Sequence, residues 1–253
     1  MKFAKFNRIY LSSLFEIFIS FVLSKISFIS SNKKIFIFGF TFIIYKYFVK
    51  KLLDKKKFPL ILGGEHSLTP GAIKPFVKKF GKLCLLHFDA HADLRNSYNG
   101  NKFSHASAIR RCLDNPNVNV VSFGIRSISS SEISFLNKNK KRINIFWAKD
   151  KLKWNLNKFK KIIRNKKVYL TFDVDGLDLS LMPATGTPEP GGLFWNETIK
   201  IIKIAAQSSN IVGADINELS PIKGFDSYNF LAAKLAYKII AYSFEYKKNL
   251  DRK

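Results

Sequence analysis

The 253-residue chain is strongly basic, with 43 Lys and Arg against 18 Asp and Glu for a net charge of +25, and it is 47% hydrophobic. That length suits one well-buried domain, and nothing in the chain asks for two. The lysines are scattered, with no arrayed basic helix or zinc module, which argues against specific nucleic-acid recognition and leaves loose polyanion binding at most. The two cysteines, Cys84 and Cys112, make no disulfide framework and fit a reducing cytosol.

Residues 1–45 come first, as an atypical apolar segment. The runs 9–23 and 35–45 are apolar apart from Glu16 and a few serines, with Ser-Asn-Lys-Lys between them. Each is shorter than the ~20 residues that cross a bilayer, and no small-residue cleavage site follows the first. Both read as buried helix or strand, with no membrane expected. From 42 to 57 the apolar positions Phe42, Ile43, Tyr47, Phe48, Leu52 and Leu53 have helical spacing. Residues 59–62 form a strand that runs into Gly63-Gly64-Glu65-His66, where the glycines let the backbone turn sharply and set His66 in place. Glu65 is expected to make a structural hydrogen bond. Ser67 or Thr69 caps the next helix, with Pro70 in its first turn.

Residues 83–86, Leu-Cys-Leu-Leu, are continuously apolar and read as a strand buried on both faces of a parallel sheet. Asp89, His91 and Asp93 then recur at a spacing of two, so an extended backbone turns all three the same way. His87 falls on that side one step deeper, as a core histidine that supports them. Residues 94–104 form a polar loop, and a helix opens at His105. Residues 118–123 and 143–147 read as strands around a helix at 129–139, and 154–164 as an amphipathic helix. Residues 168–172 form an apolar strand ending in Asp173 and Asp175. The 183–192 stretch, rich in proline and glycine, is a shaped loop. Helices at 198–206 and 230–244 flank a strand at 211–214 that runs into Asp215-Ile216-Asn217-Glu218. Strand and helix alternate throughout, which predicts an α/β fold: a three-layer αβα sandwich with a mainly parallel sheet. Functional side chains belong at the carboxyl ends of its strands.

Four strand ends converging on carboxylates and imidazoles carry prohibitive like-charge repulsion unless cations sit among them. Asp89, Asp93, Asp173 and Asp175 bring four negative charges, and two divalent ions bring four positive ones. With His66 and His91 they make an electrically balanced two-metal site. Mostly oxygen donors with two imidazoles suit manganese better than zinc. Taken singly, each Asp reads as a turn or strand-end cap; the four motifs together do not.

These segments resemble the ureohydrolases, the family of arginase and agmatinase. The likeness is carried by Gly63-Gly64-Glu65-His66-Ser67, by residues 87–93, by Ser104-His105, by Phe123-Gly124-Ile125-Arg126, and by residues 172–178, 186–192 and 215–221. They follow the family's order over about residues 58 to 245. Asp-Ala-His-Ala-Asp-Leu-Arg, Phe-Ser-His-Ala and Gly-Thr-Pro-Glu-Pro-Gly-Gly-Leu look most like agmatinase.

The resemblance implies an arginase-type fold with the catalytic domain at 46–253, two manganese ions per subunit, a trimeric or hexameric homo-oligomer and a cytoplasmic location. It implies cleavage of the guanidino group of agmatine, or a close guanidino-amine, to urea and putrescine, a step of polyamine biosynthesis. For that reaction Asp175 is expected, on chemical grounds, to accept a hydrogen bond from the attacking hydroxide and relay a proton to the leaving amine. Glu218 pairs with the planar guanidinium, and His105 shuttles protons or contacts substrate. From the residues themselves, Arg95 and Asn96 read either as contacts to the substrate's far end or as solvated loop polars. Ala106 stands where the family often has Gly, and the family's glycine-rich first loop has no counterpart in residues 1–45, which read as divergent or truncated. Arginase, guanidinobutyrase and formimidoylglutamase are the alternatives within the superfamily, and an inactive member with an impaired N-terminus is another.

Overall fold

Among the described residues, six apolar runs between polar turns form strands: β1 (Leu60–Leu62), β2 (Leu83–Phe88), β3 (Val118–Phe123), β4 (Ile143–Phe146), β5 (Lys167–Asp173) and β6 (Asn210–Asn217). They make one sheet in the order β1-β6-β5-β2-β3-β4, and every pairing of these strands is parallel. The structure is a computed structural model that describes residues 47–250. The apolar runs expected at 1–45 lie outside the described residues.

Parallel neighbours need crossovers, and helices supply them. They are α1 (47–54), α2 (Thr69–Ala72), α3 (Lys74–Phe80), α4 (Ala108–Leu113), α5 (Ser130–Lys138), α6 (Leu156–Ile163), α7 (Trp195–Ser208) and α8 (Asp226–Leu250). The start of α5 is set by Glu132, whose carboxylate accepts the N–H of the cap residue Ser129 at 2.7 Å.

Period two divides the central strands between two cores. Cys84, Leu86 and Phe88 join Leu170, Phe172, Val121 and Phe123 in one. Leu83 and Leu85 join Tyr169, Val118 and Val120 in the other. An apolar run with no polar face is thereby explained: β2 is buried on both sides, between two helical layers. On the second face the same parity turns polar toward the carboxyl end, from Leu85 to His87 and from Tyr169 to Thr171 and Asp173, all buried. Chemistry and core thus share one surface.

Some boundaries differ from the hydrophobic reading. Strand β6 continues past Ala214 because its ladder with β5 does, pairing Thr171 with Asp215 and Asp173 with Asn217. Helix α8 starts at Asp226, four residues ahead of the start expected at 230. Neither Gly63 nor Gly64 takes a positive φ, so neither serves to turn the chain in the left-handed sense. Gly63 supplies room instead: a Cβ there would collide with the side chains of Leu68 and Asn217.

Candidate metal centre

Loops leaving β1, β2, β5 and β6 meet above the carboxyl ends of the strands, where open parallel sheets place their sites. All four histidines of the chain, His66, His87, His91 and His105, stand on two of these loops and the strand end between them or at the mouth they form. Beyond β2, His91 makes a short parallel bridge with Ser127, but Asp93 has φ +52°. Left-handed backbone, which Asp tolerates better than most residues, brings Asp93 inward where alternation alone was expected to. Glu132 fixes that turn by accepting the Leu94 N–H at 2.7 Å. On the β5 side Asp173 accepts the Asp175 N–H at 3.0 Å. At Gly176 a Cβ would lie 2.7 Å from the Asp89 nitrogen, so only a bare α-carbon lets the two loops close.

The six side chains singled out in the sequence converge. His66 Nδ1 lies 3.2 Å from Asp89 Oδ2, 3.1 Å from Asp93 Oδ2 and 3.4 Å from Asp173 Oδ2. His91 Nδ1 lies 3.0 Å from Asp175 Oδ2 and 3.5 Å from Asp89 Oδ1. Asp89 therefore offers one oxygen to each histidine. Although fully buried, His66 Nδ1 makes no well-formed hydrogen bond; it points among three oxygens and at none of them. Donors bound about 2.1 Å from one octahedral cation stand about 3 Å apart along each edge, so this residue set fits a divalent ion. His87 is close enough to join, but its Nε2 lies 2.8 Å from Asp89 Oδ2 and its Nδ1 3.0 Å from Ser122 Oγ. With both nitrogens engaged it holds Asp89 in place.

The charges tell the same story. Burial, reinforced by Asp89, pushes Asp93 up to about 7 against the pull of His66 and His91. Burial and the charges of Asp175 and Asp89 hold Asp173 well above the usual carboxylate range. Burial acts on Asp89 too, but contacts with His66, His87 and His91 override it and hold that carboxyl well below. Against burial, Asp175 and Asp89 lift His91 to about 11, and Asp173, Asp89 and Asp93 lift His66. Protons crowd the places where cations would relieve the repulsion, and ions binding there would displace them.

Behind His66 runs a buried polar column that sequence reasoning missed. His66 Nε2 lies 2.8 Å from Thr171 Oγ1, which is 3.2 Å from Thr69 Oγ1; Thr69 donates to Asp215 Oδ2 at 3.0 Å. The Tyr169 hydroxyl donates to the same oxygen at 2.8 Å, and Asn217 Nδ2 to the other at 2.8 Å. An acceptor-only carboxylate at one end aligns both threonine hydroxyls toward it. His66 then keeps its hydrogen on Nε2 and presents the Nδ1 lone pair forward. The available signal was parity: Thr171 lies two residues below Asp173 on the same face.

At the mouth, Glu218 sits at φ +65° and its Oε1 accepts the His66 N–H at 2.6 Å. Burial pushes its carboxyl up, with that hydrogen bond and the nearby His66 and His105 charges acting against it. His105 Nδ1 stands 3.0 Å from Glu65 Oε1, and His91 Nε2 stands 3.8 Å from Glu189 Oε1. Arg95 and Asn96 engage their own surroundings: the Arg95 guanidinium lies 5.4 Å from the Tyr98 ring centre, and Asn96 accepts from Arg111 at 3.3 Å. Arg126, singled out only as part of a motif, donates to the carbonyls of Gly124, Asp175, Leu177, Glu189 and Pro190.

Residues 43–242 match the protein-family model described as the Arginase family. The chain is 41% identical over 178 residues to the agmatinase of Bacillus cereus, a match covering 69% of this chain and 60% of that protein. It is 34% identical over 198 residues to N(1)-aminopropylagmatine ureohydrolase of Synechocystis sp., covering 77% and 63%. The solved agmatine ureohydrolase of Thermoplasma volcanium superposes with a TM-score of 0.72 and 33% identity over 84% of this chain and 71% of that one. The chain spans about three fifths of the length of these two curated relatives.

Proposed function

We propose, from the premise that this chain belongs to the arginase family, that it hydrolyses the guanidino group of agmatine or a close guanidino-amine. The products are urea and an amine, putrescine in the case of agmatine. One observation carries this reading: His66, Asp89, His91, Asp93, Asp173 and Asp175 converge so that a buried, unpartnered His66 Nδ1 faces three carboxylates. Those six residues would hold two divalent ions per subunit, and the oxygen-rich donor set with two imidazoles supports manganese. Such ions supply charge neutralisation and make water acidic enough to attack at neutral pH.

The rest falls to the chain. A guanidinium carbon is a poor electrophile because resonance spreads its charge, so its orientation matters. Glu218 presents a carboxylate to the planar cation, with its Oε1 anchored by the His66 N–H. A bound cation offsets the burial that raises this carboxyl. Asp175 takes the proton released by the attacking water and passes it to the leaving amine, held meanwhile by the Ala90 N–H at 3.0 Å and the Thr187 hydroxyl at 3.2 Å. His105 binds substrate and exchanges protons with solvent across the mouth. Arg95 and Asn96 are assigned to the substrate's far end. Residues 46–253 form the catalytic domain in this reading, within a cytoplasmic trimer or hexamer that serves polyamine biosynthesis. Among the described residues no helix is long and apolar enough to cross a membrane.

Urea release from agmatine, N(1)-aminopropylagmatine, arginine and guanidinobutyrate, with manganese removed and restored, tests the reading. Manganese-dependent turnover of agmatine is expected. The Synechocystis relative makes aminopropylagmatine the second substrate to favour. Robust turnover of arginine with none of either agmatine compound would replace the proposed activity with that of an arginase. Failure to bind manganese, with no turnover at all, would leave an inactive member.

A further inference from the structure

Glu65 takes no part in the chemistry above, yet both of its oxygens are committed. Oε1 lies 3.0 Å from His105 Nδ1, and Oε2 accepts the Ser67 hydroxyl at 2.8 Å. An ionised carboxylate has no hydrogen to give, so the hydrogen in the Glu65–His105 contact belongs to Nδ1. That leaves Nε2 as the ring atom free to gain and lose a proton. The Tyr98 ring stands edge-on at 5.5 Å between centres, closing another side of the imidazole. The Glu65 side chain is 36% exposed, whereas its neighbour His66 is fully buried within the ligand cluster. The charges of Glu218 and Asp93 also reach His105, whose side chain is 42% exposed.

We propose that Glu65, steadied by Ser67, is a positioning residue that locks His105 in the Nδ1–H form and turns Nε2 toward the substrate cavity. This rests on the proton-exchange role given to His105 above. In the neutral ring Nε2 accepts a proton; in the cationic ring the same atom returns it to the product amine or to water. The Nδ1 hydrogen stays in place throughout. Glu65 touches no substrate and acts only through His105, as the buried carboxylate of a catalytic triad acts through its imidazole.

The test uses the manganese-loaded enzyme with Glu65→Gln, Glu65→Asp, Ser67→Ala, His105→Asn and the double variant E65Q/H105N. Glu65→Gln keeps the shape and removes the charge. It is expected to lower kcat about tenfold while KM stays within about twofold, a fraction of what a positioned acid-base group supplies. Loss of the carboxylate disfavours the imidazolium, so the His105 limb of the kcat/KM profile should move to lower pH. Glu65→Asp should recover part of the rate, and Ser67→Ala should cost less than Glu65→Gln. The double variant should be no slower than His105→Asn, within about twofold, because nothing remains for Glu65 to position. If His105→Asn turns over like the parent, the role given to His105 falls and this proposal with it. If His105→Asn is slow but the two losses multiply, or the pH limb stays put in Glu65→Gln, the role of Glu65 alone is overturned.

Discussion

His66 and His91 flank Asp89, and the chain holds them in opposite ways. His66 is fully buried, with its rear nitrogen tied through Thr171 and Thr69 to Asp215. The His91 side chain is 28% exposed, and its outer nitrogen has Glu189, itself 39% exposed, at 3.8 Å. The rear of the centre is therefore organised when the chain folds, with the His66 hydrogen already on the correct nitrogen. The mouth leaves much of its ordering to whatever binds. Removing a rear group should cost stability as well as ion binding, whereas removing a mouth group should spare stability.

The largest effect should come from the residue that both sides share. Asp89→Asn removes a charge facing both histidines; the several kcal/mol of transition-state stabilisation that ions provide correspond to roughly a thousandfold in rate. Metal content per chain and urea release measure it, and a variant that keeps both ions and most of its rate would break the claim that Asp89 serves the two halves together. Next comes Asp215→Ala, which removes the buried acceptor shared by Thr69, Tyr169 and Asn217. About 3 kcal/mol of unfolding free energy is expected to be lost, with metal affinity falling about 10- to 100-fold. Denaturant unfolding of the metal-free variant separates the two, and unchanged stability would remove the rear column's role.

Metal removal should expose a pH dependence of intermediate size. Asp93 is raised to about 7 in the fold, above its unfolded value. Asp93 then contributes stability to the metal-free protein that is fully present below that unfolded value and is lost as pH climbs through 7. A fall of several degrees in Tm between pH 5 and 8 is expected. With manganese the trend should reverse, since binding releases protons and tightens as pH rises; parallel pH curves with and without the ion would contradict it. Glu189→Gln should be mildest at the level of the fold, leaving stability within about 0.5 kcal/mol. A larger loss would show that the mouth is as preorganised as the rear.

What the sequence conveyed follows the same division. Strands β2 and β5 were legible because burial on both faces leaves an unbroken apolar run, and Asp89, His91, Asp173 and Asp175 follow those runs at regular spacing. Asp93 was singled out for the wrong backbone reason, because nothing local marks a left-handed turn at that position. The column of Thr171, Thr69 and Asp215 was missed for a different cause. It exists because β5 and β6 are neighbours with Thr171 opposite Asp215, and cross-strand adjacency is a property of the fold that a single chain does not spell out. Strand β6 was cut short at its first acid, since hydrophobicity stops there and the hydrogen-bonded ladder does not.

Arg126 gathers carbonyls from the end of β3, from the turn that bears Asp175 and from the Glu189–Pro190 loop into one guanidinium. Loosening that loop therefore loosens the turn, so the two cannot breathe independently. Protease nicking inside residues 183–192 should act as a clock for the opening of the centre. It should slow when manganese is bound and quicken in Arg126→Lys, which lacks the fork to span three segments. Cutting that proceeds at one rate regardless of the ion would show that the strap and the centre move apart.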